Sequence, residues 1–366
     1  MFGPGVFDEL GIIARDLGLR NVLILADPGI AACGYVARAT MLLQASGIAA
    51  CAYSEFGADP DSDMIAQGRR FAASLDVDGL VAIGGGSSLD FAKGLNFILT
   101  NHGSIADYRG YGNVPHPMLP MIGVPTTAGT GSEAQSYAVI SDARTKMKMA
   151  CGAPGAAFRV ALLDPRLTRS QPRAIAATAG YDALSHVVES FVTRKKNELS
   201  RMFGREAWRL ISRSLERALT HPDDERARGN MLIGAHYAGA AIEASMLGAA
   251  HACANPLSAR YGLSHGIAVS LMLPWVVRWN ASEVSAEYAE LLDVPERRSG
   301  EGAELLAARL DELRVAGDLP ESLSAAGVRP EDIPVLARDA AAQWTGKFNP
   351  RRFSEEGALE LYTWAL

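Results

Sequence analysis

The first 165 residues alternate short apolar runs with helical patterns, and this alternation restricts the fold more than any other feature of the chain. A strand that is buried on both faces reads as a continuous apolar run, as in an all-parallel sheet. Helical patterns separate the early runs, near residues 30–46 and 62–75. The alternation therefore predicts βαβ units and a parallel sheet with helices on both faces. The strand candidates are residues 21–27, 48–53, 79–83, 121–124 and 160–163.

Long helical patterns dominate after Asp164-Pro165, where strand signals nearly disappear. A chain of 366 residues with 48% hydrophobic content exceeds the size of a usual single core. We therefore predict two domains, an α/β domain over residues 1–165 and an all-α domain over residues 166–366. The helical patterns of the second half cover residues 173–193, 198–220, 225–246 and 301–316.

Charge and cysteine usage argue against several function classes. A net charge of −6 argues against a general nucleic-acid surface. The four cysteines are scattered without a C-x-x-C spacing, which indicates a reducing compartment and no disulfide framework. The N-terminus lacks the features of a signal peptide, and no apolar segment reaches the length of a membrane span. We expect a cytoplasmic protein that binds neither nucleic acid nor membrane.

A carboxylate and three imidazoles form a candidate metal site. Asp182 and His186 are four residues apart, so a helix would place both on one face, where they could hold one cation. His251 and His265 follow in a second segment, and only seven histidines occur in the whole chain. One oxygen and three nitrogens suit Zn²⁺ or Fe²⁺. The alternative is that Asp182 and His186 form a surface ion pair or a capped core histidine.

A glycine-rich turn is the first candidate phosphate site. Gly84, Gly85 and Gly86 follow an apolar run, and Ser87 lies at the start of a helical pattern. Glycines let the backbone approach a ligand closely, and the free N–H groups and the dipole of the helix favour a phosphate. The motif is neither G-x-G-x-x-G nor a P-loop. A tight strand-to-helix turn without a ligand is therefore an open alternative.

Two further turns at the same predicted sheet edge extend this hypothesis. Asp27 ends the first strong strand, where its carboxylate could accept hydrogen bonds from the ribose of NAD and repel the 2′-phosphate of NADP. It could equally cap a helix that begins at Pro28. Residues 124–133 carry Thr126 and Thr127 in a flexible loop that is rich in hydroxyl groups. Three such turns on one edge favour a dinucleotide.

The whole chain resembles the iron-containing (group III) alcohol dehydrogenases. The similarity rests on several motifs together, which is far more specific than any one of them. In the C-terminal half it includes Asp182-Ala-Leu-Ser-His186, the spacing of His251 and His265, and Asn349-Pro350. In the N-terminal half the matching landmarks are the strand ending at Asp27, Gly84-Gly-Gly-Ser87 with Asp90 and Lys93, Pro125-Thr-Thr-Ala-Gly-Thr-Gly-Ser-Glu133, and Asp164-Pro165.

The resemblance implies a Rossmann-like dinucleotide-binding domain followed by a helical metal-binding domain, which is the dehydroquinate synthase-like architecture. It implies that Asp182, His186, His251 and His265 are the catalytic metal ligands, usually for Fe²⁺ and sometimes for Zn²⁺. The implied cofactor is NAD rather than NADP, and a homodimer is compatible with the family. The residues that match the family's cofactor contacts are Gly85, Gly86 and Ser87 at the pyrophosphate, Asp27 at the adenosine ribose, and Thr126, Thr127, Lys148 and, less closely, Tyr137.

The sequence departs from the family pattern at three places. Many members carry a second histidine four residues after the position of His251, where this chain has Asn255. A neutral amide cannot carry protons as an imidazole does. The usual Leu-Pro-His is Leu273-Pro274-Trp275, and the usual Asn-Pro of a cofactor-facing loop is Asp59-Pro60. These changes leave the ligand set intact and bear on the proton path, the substrate pocket and the cofactor contacts.

The predicted reaction is a hydride transfer between NAD(H) and a small alcohol or its aldehyde or ketone. The metal would act as a Lewis acid on the substrate oxygen, and the dinucleotide would carry the redox chemistry. The alternatives within the same fold are a maleylacetate reductase-like or a glycerol dehydrogenase-like enzyme. A metal-dependent lyase or hydrolase would use the same ligand set but would leave the glycine turn and Asp27 unexplained.

Overall fold

The structure, a computed structural model, describes residues 1–145 and 147–366, apart from the side chains of residues 296 and 297. It divides into two compact units, Met1–Gln171 and Pro172–Leu366. The described strands all lie in the first unit, and the regular elements described in the second unit are all helical. The predicted fold class, an α/β region followed by a helical region, is therefore confirmed.

The first unit is built on a parallel sheet with helices on both faces. Its described strands are β1 Asn21–Leu25, β2 Ala49–Tyr53, β3 Gly79–Gly84, β4 Gly110–Tyr111, β5 Met121–Pro125, β6 Tyr137–Ser141, β7 Lys148–Gly152 and β8 Val160–Ala161. Its helices are α1 Leu10–Asp16, α2 Pro28–Ala32, α3 Tyr35–Ala45, α4 Ser62–Ala72 and α5 Gly86–Asn101. Five strands pair in parallel in the order β2-β1-β3-β5-β8. This order reverses direction between β1 and β3, the topological switch point where such sheets bind ligands.

Side chains on opposite faces of this sheet enter two different cores. Leu23 of β1 belongs to the cluster that contains Phe91 of α5, on one face. Its neighbour Ile24 belongs to the cluster that contains Leu10 of α1 and Leu43 of α3, on the other face. Each such burial stabilises the fold by roughly 1.5–3 kcal/mol. Because both faces are covered, the strands read as continuous apolar runs, which is why the sequence predicts them well.

The helical pattern predicted near residues 30–46 forms two helices rather than one. α2 is short, and Gly34 separates it from α3 with a φ of 82°. That left-handed conformation is accessible to glycine at little cost and interrupts a continuous helix. The first strand is also shorter than predicted, because Asp27 caps α2 instead of extending β1.

A second, small sheet of the first unit was not predicted from the sequence. It has the strand order β4-β7-β6, and β6 and β7 pair antiparallel. β6 packs closely on α5. Gly94 of α5 faces Ile140 of β6, and a Cβ added to Gly94 would lie 3.1 Å from Cδ1 of Ile140. β6 and β7 each have only five residues, in which buried positions alternate with partly buried or exposed ones over most of the strand, so their apolar runs are too short to stand out.

The second unit contains a long, largely buried helix, α6, against which several of its other helices pack. Within the described residues of either unit, no helix is both long enough and apolar enough to cross a membrane. The helices are α6 Arg173–Val192, α7 Glu198–Thr220, α8 Glu225–Ala244, α9 Ala249–Tyr261, α10 His265–Trp279, α11 Ala281–Leu291, α12 Gly302–Ala316, α13 Ile333–Ala341 and α14 Glu355–Ala365.

Candidate functional site

Helix α6 carries three functional-type side chains on one face. Asp182, His186 and Glu189 occupy positions i, i+4 and i+7, which a helix aligns along a single stripe. All three are buried. The predicted pair of Asp182 and His186 is therefore not a surface ion pair. Because buried polar groups require partners, this stripe must face other polar groups inside the second unit.

The partners of this stripe come from two other helices. His251 lies in the first turn of α9, and His265 is the first residue of α10. The Nε2 atoms of His186, His251 and His265 lie 3.4, 3.8 and 3.7 Å from Oδ1 of Asp182. The ring centroids of adjacent imidazoles are 5.0 and 5.2 Å apart. Three helices thus bring three nitrogens around one carboxylate oxygen.

These distances fit a shared cation better than direct hydrogen bonds. Ligand atoms about 2.0–2.2 Å from one tetrahedral ion lie roughly 3.3–3.6 Å from one another. Oδ1 of Asp182 and Nε2 of His251 are buried and have no hydrogen-bond partner among the described residues, which is costly unless another group binds them. Donor atoms of Asp182, His186 and His251 lie within 4.8 Å of one another. The donor set and its spacing fit a divalent metal.

The electrostatics of the cluster keep its carboxylate ionised. Burial alone would raise the pKa of Asp182, but the imidazoles of His186, His265 and His251 outweigh burial and hold it well below its usual range. Burial would likewise lower the pKa of His251, but the carboxylates of Asp182 and Glu189 raise it to about 9. Asp182 can therefore serve as an anionic ligand at neutral pH.

The cluster has one open side. The side chain of His265 is 27% exposed, whereas those of Asp182, His186 and His251 are 5–6% exposed. A small molecule reaching the cluster would therefore approach on the side of His265. Such an opening separates a catalytic metal site from a closed structural one.

Glu189 is a member of the site that the sequence interpretation missed. Its Oε2 lies 2.6 Å from Nδ1 of His251, and its Oε1 accepts a hydrogen bond of 2.6 Å from the amide of Ala250. The available signal was its position seven residues after Asp182, on the same face of a predicted helix. Sequence alone could not show that this face meets the first turn of α9.

In the first unit, Asp27 lies at the switch point of the sheet. Its Oδ1 accepts hydrogen bonds from the amides of Gly29 and Ile30 at 3.0 and 3.2 Å, so the predicted cap is present. Its Oδ2 accepts a hydrogen bond of 3.0 Å from the hydroxyl of Ser88 on α5. Asp27 thus connects the turn after β1 to the turn after β3. A carboxylate has about four acceptor positions, so these contacts leave capacity for a ligand.

The glycine turn and the threonine loop pack directly against each other. A Cβ added to Gly86 would lie 2.6 Å from Cγ2 of Thr130, and one added to Gly85 would lie 3.2 Å from Thr127. Glycine is therefore required for this close approach. Oγ1 of Thr126 is buried without a hydrogen-bond partner among the described residues. The structure thus brings Asp27, the glycine turn, Thr126 and Thr127 to the carboxyl ends of neighbouring strands.

The other two predicted cofactor contacts lie apart from each other. Lys148 begins β7 and pairs with Asp59 at 3.2 Å, and the amide of Asp59 donates a hydrogen bond to Oγ of Ser87. Tyr137 begins β6 and lies opposite Gly152, at the other end of the β6–β7 pair. Lys148 is therefore linked to the glycine turn through Asp59, whereas Tyr137 lies about four residues away along the small sheet, roughly 13 Å.

Asn255 lies one turn after His251 on α9 and donates a hydrogen bond of 3.1 Å to Oε1 of Gln343. Its side chain is therefore held by a second amide rather than by a titratable group. Neither of these two amides titrates near neutral pH, so neither can act as an acid or a base there as an imidazole does.

The helical unit contains a candidate ligand set, and the glycine turn at the switch point of the sheet is a candidate phosphate site. A metal-dependent dehydrogenase needs a set of metal ligands and a site for the phosphates of a dinucleotide. This is the class of protein that the fold and the side chains define. Comparison with known families agrees with it. The family described as "Iron-containing alcohol dehydrogenase" matches residues 1–165, and "Fe-containing alcohol dehydrogenase family, C-terminal" matches residues 176–366. The chain belongs to the iron-containing alcohol dehydrogenase family of oxidoreductases, and the resemblance inferred from its motifs is confirmed.

Individual relatives extend over nearly the whole chain. The NAD-dependent methanol dehydrogenase of Bacillus methanolicus is 31% identical over 356 residues, 96% of this chain and 93% of that protein. A crystal structure of 1,3-propanediol oxidoreductase matches with a TM-score of 0.96 at 29% identity, covering 100% of this chain and 97% of its own. The crystal structure of sulfoacetaldehyde reductase from Bifidobacterium kashiwanohense in complex with NAD⁺ matches with a TM-score of 0.89 at 28% identity. The match covers 100% of this chain and 96% of that chain.

Proposed function

We propose that this protein transfers a hydride reversibly between NAD(H) and a small alcohol or aldehyde, with Fe²⁺, or alternatively Zn²⁺, as its metal. The observation that carries the proposal is the arrangement of three imidazole Nε2 atoms around one oxygen of Asp182. The relatives named above support it, because each is named for an alcohol or aldehyde group and two are named with NAD. NADP is the less favoured cofactor.

The metal ligands in this proposal are Asp182, His186, His251 and His265. Nitrogen and oxygen donors in this ratio suit either Fe²⁺ or Zn²⁺. When bound, the metal supplies Lewis-acid polarisation of the substrate oxygen. The protein contributes an ionised carboxylate, three fixed imidazoles and an approach beside the partly exposed His265.

The dinucleotide is proposed to bind at the switch point of the first unit. The amides at the start of α5, with Gly85, Gly86 and Ser87, would hold its pyrophosphate, since helix N-termini favour phosphate. The carboxylate of Asp27 would accept hydrogen bonds from the adenosine ribose and disfavour the 2′-phosphate of NADP. Further contacts are assigned to Thr126, Thr127, Lys148 and Tyr137.

The proton of the alcohol must leave without an imidazole at position 255. Asn255 donates a hydrogen bond to Gln343 and has no group that titrates near neutral pH. Water beside the partly exposed His265 and the ribose hydroxyls of the cofactor are the remaining carriers. The role proposed for Asn255 is to shape the substrate pocket.

One experiment tests both the metal and the redox parts of the proposal. Metal content, the NAD⁺-dependent oxidation of short alcohols and the NADH-dependent reduction of short aldehydes are measured for the wild type, His265→Ala and His221→Ala. His221 is an exposed histidine of the same unit and serves as the matched control. We expect His265→Ala to lose metal and turnover together and His221→Ala to keep both. Full turnover by metal-free His265→Ala would remove the ligand assignment.

A cofactor measurement separates this proposal from a metal-dependent lyase or hydrolase. Mixing the protein with NADH should change the fluorescence of the nicotinamide, because the glycine turn and Asp27 provide a dinucleotide site. Unchanged fluorescence at millimolar NADH would favour the hydrolytic alternative.

The domain assignment belongs to the same proposal. We assign dinucleotide binding to residues 1–165 and metal binding to residues 166–366. A homodimer in a reducing, cytoplasmic compartment is proposed with it, in keeping with four cysteines that are free in the structure. Light scattering of the purified protein measures the oligomeric state.

A further inference from the structure

Glu189 is a buried carboxylate that the proposed reaction does not itself use. It is 4% exposed and lies on α6, seven residues after Asp182. A buried carboxylate is costly unless several donors satisfy it. Its two oxygens contact two neighbouring groups of α9, both at hydrogen-bond distance. The question is what these two contacts do.

The first contact holds the start of α9. The N-terminal cap of this helix is Gly248, which offers no side chain to accept from the first amides. Asn349 and Glu189 replace it: Oδ1 of Asn349 accepts from Ala249 at 3.2 Å and Oε1 of Glu189 accepts from Ala250 at 2.6 Å. Glycine at 248 gives both side chains room to approach, because a Cβ there would lie 2.9 Å from Oδ1 of Asn349 and 3.0 Å from Oε1 of Glu189.

The second contact fixes the imidazole of His251. Oε2 of Glu189 lies 2.6 Å from Nδ1, and an ionised carboxylate at this distance accepts a hydrogen bond from a protonated Nδ1. Nε2, the other ring nitrogen, then has its lone pair available to bind a metal and lies 3.8 Å from Oδ1 of Asp182. A carboxylate behind a metal-binding histidine fixes its tautomer and ring orientation and increases its basicity as a ligand.

We propose that Glu189 is the positioning residue of the metal centre: one oxygen anchors the first turn of α9, and the other holds His251 with Nε2 directed at the metal. This inference rests on the ligand set proposed above. It adds that metal affinity depends on an acidic side chain that does not touch the metal. The two contacts act together, because the anchored turn carries the residue whose ring is held.

Two substitutions separate positioning of the imidazole from support of the helix. Glu189→Gln keeps the shape but has only one acceptor oxygen. If that oxygen still accepts from the Ala250 amide, the NH2 group of Gln faces Nδ1 of His251 and donates to it, which leaves the imidazole proton on Nε2. Asn349→Ala removes the acceptor of the adjacent amide, together with the hydrogen bonds of Asn349 to Asn280 and Arg351, and it does not alter either partner of the Glu189–His251 contact. It disturbs the same helix start, which makes it the matched control.

The affinity for Zn²⁺ is measured by competition with a chromophoric chelator, on proteins whose folding is checked by circular dichroism and thermal melting without metal. We expect Glu189→Gln to bind Zn²⁺ roughly 10–100-fold more weakly and Asn349→Ala to stay within about threefold of the wild type. An unchanged affinity of Glu189→Gln contradicts the proposal. An equal loss in Asn349→Ala contradicts the role assigned to the Glu189–His251 contact, because support of the helix start would then account for the whole effect.

A measurement on the wild type keeps the proposal testable if a variant does not fold. In the Zn²⁺-loaded protein with ¹⁵N-labelled histidine, long-range proton–nitrogen correlations should show His251 with a protonated Nδ1 and a metal-bound Nε2. Coordination through Nδ1 overturns the role of Glu189 and leaves the ligand set standing. Absence of stoichiometric Zn²⁺ binding by the wild type overturns the ligand set, and the role of Glu189 with it.

Discussion

Gly266 is the residue through which α10, which carries His265, reaches α6, which carries Asp182. A Cβ added to Gly266 would lie 2.2 Å from the carbonyl oxygen and 2.7 Å from the carbonyl carbon of Thr178. Thr178 lies one turn before Asp182 on α6. Because the obstacle is backbone, rotation of a side chain cannot relieve the clash, and Gly266→Ala must push the two helices apart.

The size of this displacement follows from the contact distance. Non-bonded heavy atoms pack at about 3.5 Å, so the added methyl group falls short of a normal contact by roughly 1 Å. Metal–ligand distances tolerate changes of only about 0.2 Å. His265, the adjacent residue, would therefore leave a cluster in which it now lies 3.7 Å from Oδ1 of Asp182. We expect Zn²⁺ affinity to fall at least about tenfold, or 1.4 kcal/mol, beside an overpacking cost of roughly 1–3 kcal/mol.

Gly317→Ala is the matched control for this prediction. A Cβ there would also contact α6, at 3.3 Å from Cβ of Ala177, but its neighbours are mostly side-chain atoms and Gly317 follows a helix without metal ligands. Thermal melting and Zn²⁺ competition are measured on both variants. We expect Gly317→Ala to keep wild-type affinity. If Gly266→Ala binds Zn²⁺ as tightly as Gly317→Ala does, the close contact between α10 and α6 does not position His265.

Two further predictions concern the cofactor and the proton. Asp27→Ser keeps an N-cap hydroxyl for α2 but removes the charge, so the ratio of kcat/KM with NADPH to that with NADH should rise about tenfold or more, or 1.4 kcal/mol; an unchanged ratio would take Asp27 out of the ribose site. Asn255→Ala should keep turnover within about tenfold of the wild type, because a group that transfers protons contributes roughly 10²–10⁴-fold and a neutral amide does not act in this way. A thousandfold loss in a steady-state assay would give Asn255 a direct role.

The parallel sheet could be predicted because burial on both faces leaves a continuous apolar signal in the strands. The break between α2 and α3 depends on one glycine, Gly34, whose conformation a helical pattern does not reveal. The β6–β7 sheet was missed for a related reason: five residues with alternating burial do not differ enough from a loop. These local features depend on packing against α5, which is a tertiary contact.

The candidate metal ligands could be named from residue type and spacing, whereas their supporting residues could not. Asp182 and His186 share one helix, so four residues of spacing fix their relation. His251 and His265 lie on other helices, and only the packing of α9 and α10 on α6 brings them to the same oxygen. Glu189 has the same spacing signal as the ligands but belongs to no motif, so its role became visible only when Ala250 and His251 were placed against it.

The structure also separates the two departures from the family pattern that lie near the ligands in sequence. Asn255 follows His251 by one helical turn, about 6 Å along α9 and on the same face. Trp275 lies ten residues after His265, roughly 15 Å along α10. The ring centroids of Trp275 and Trp364 are 6.5 Å apart, and Cζ of Arg278 lies 5.2 Å from the ring centroid of Trp275. We therefore expect a small substrate that approaches the candidate metal site beside His265 to lie nearer to Asn255 than to Trp275. Discrimination between alcohols is expected to respond to residue 255, and residue 275 to affect the packing of α10 on α14.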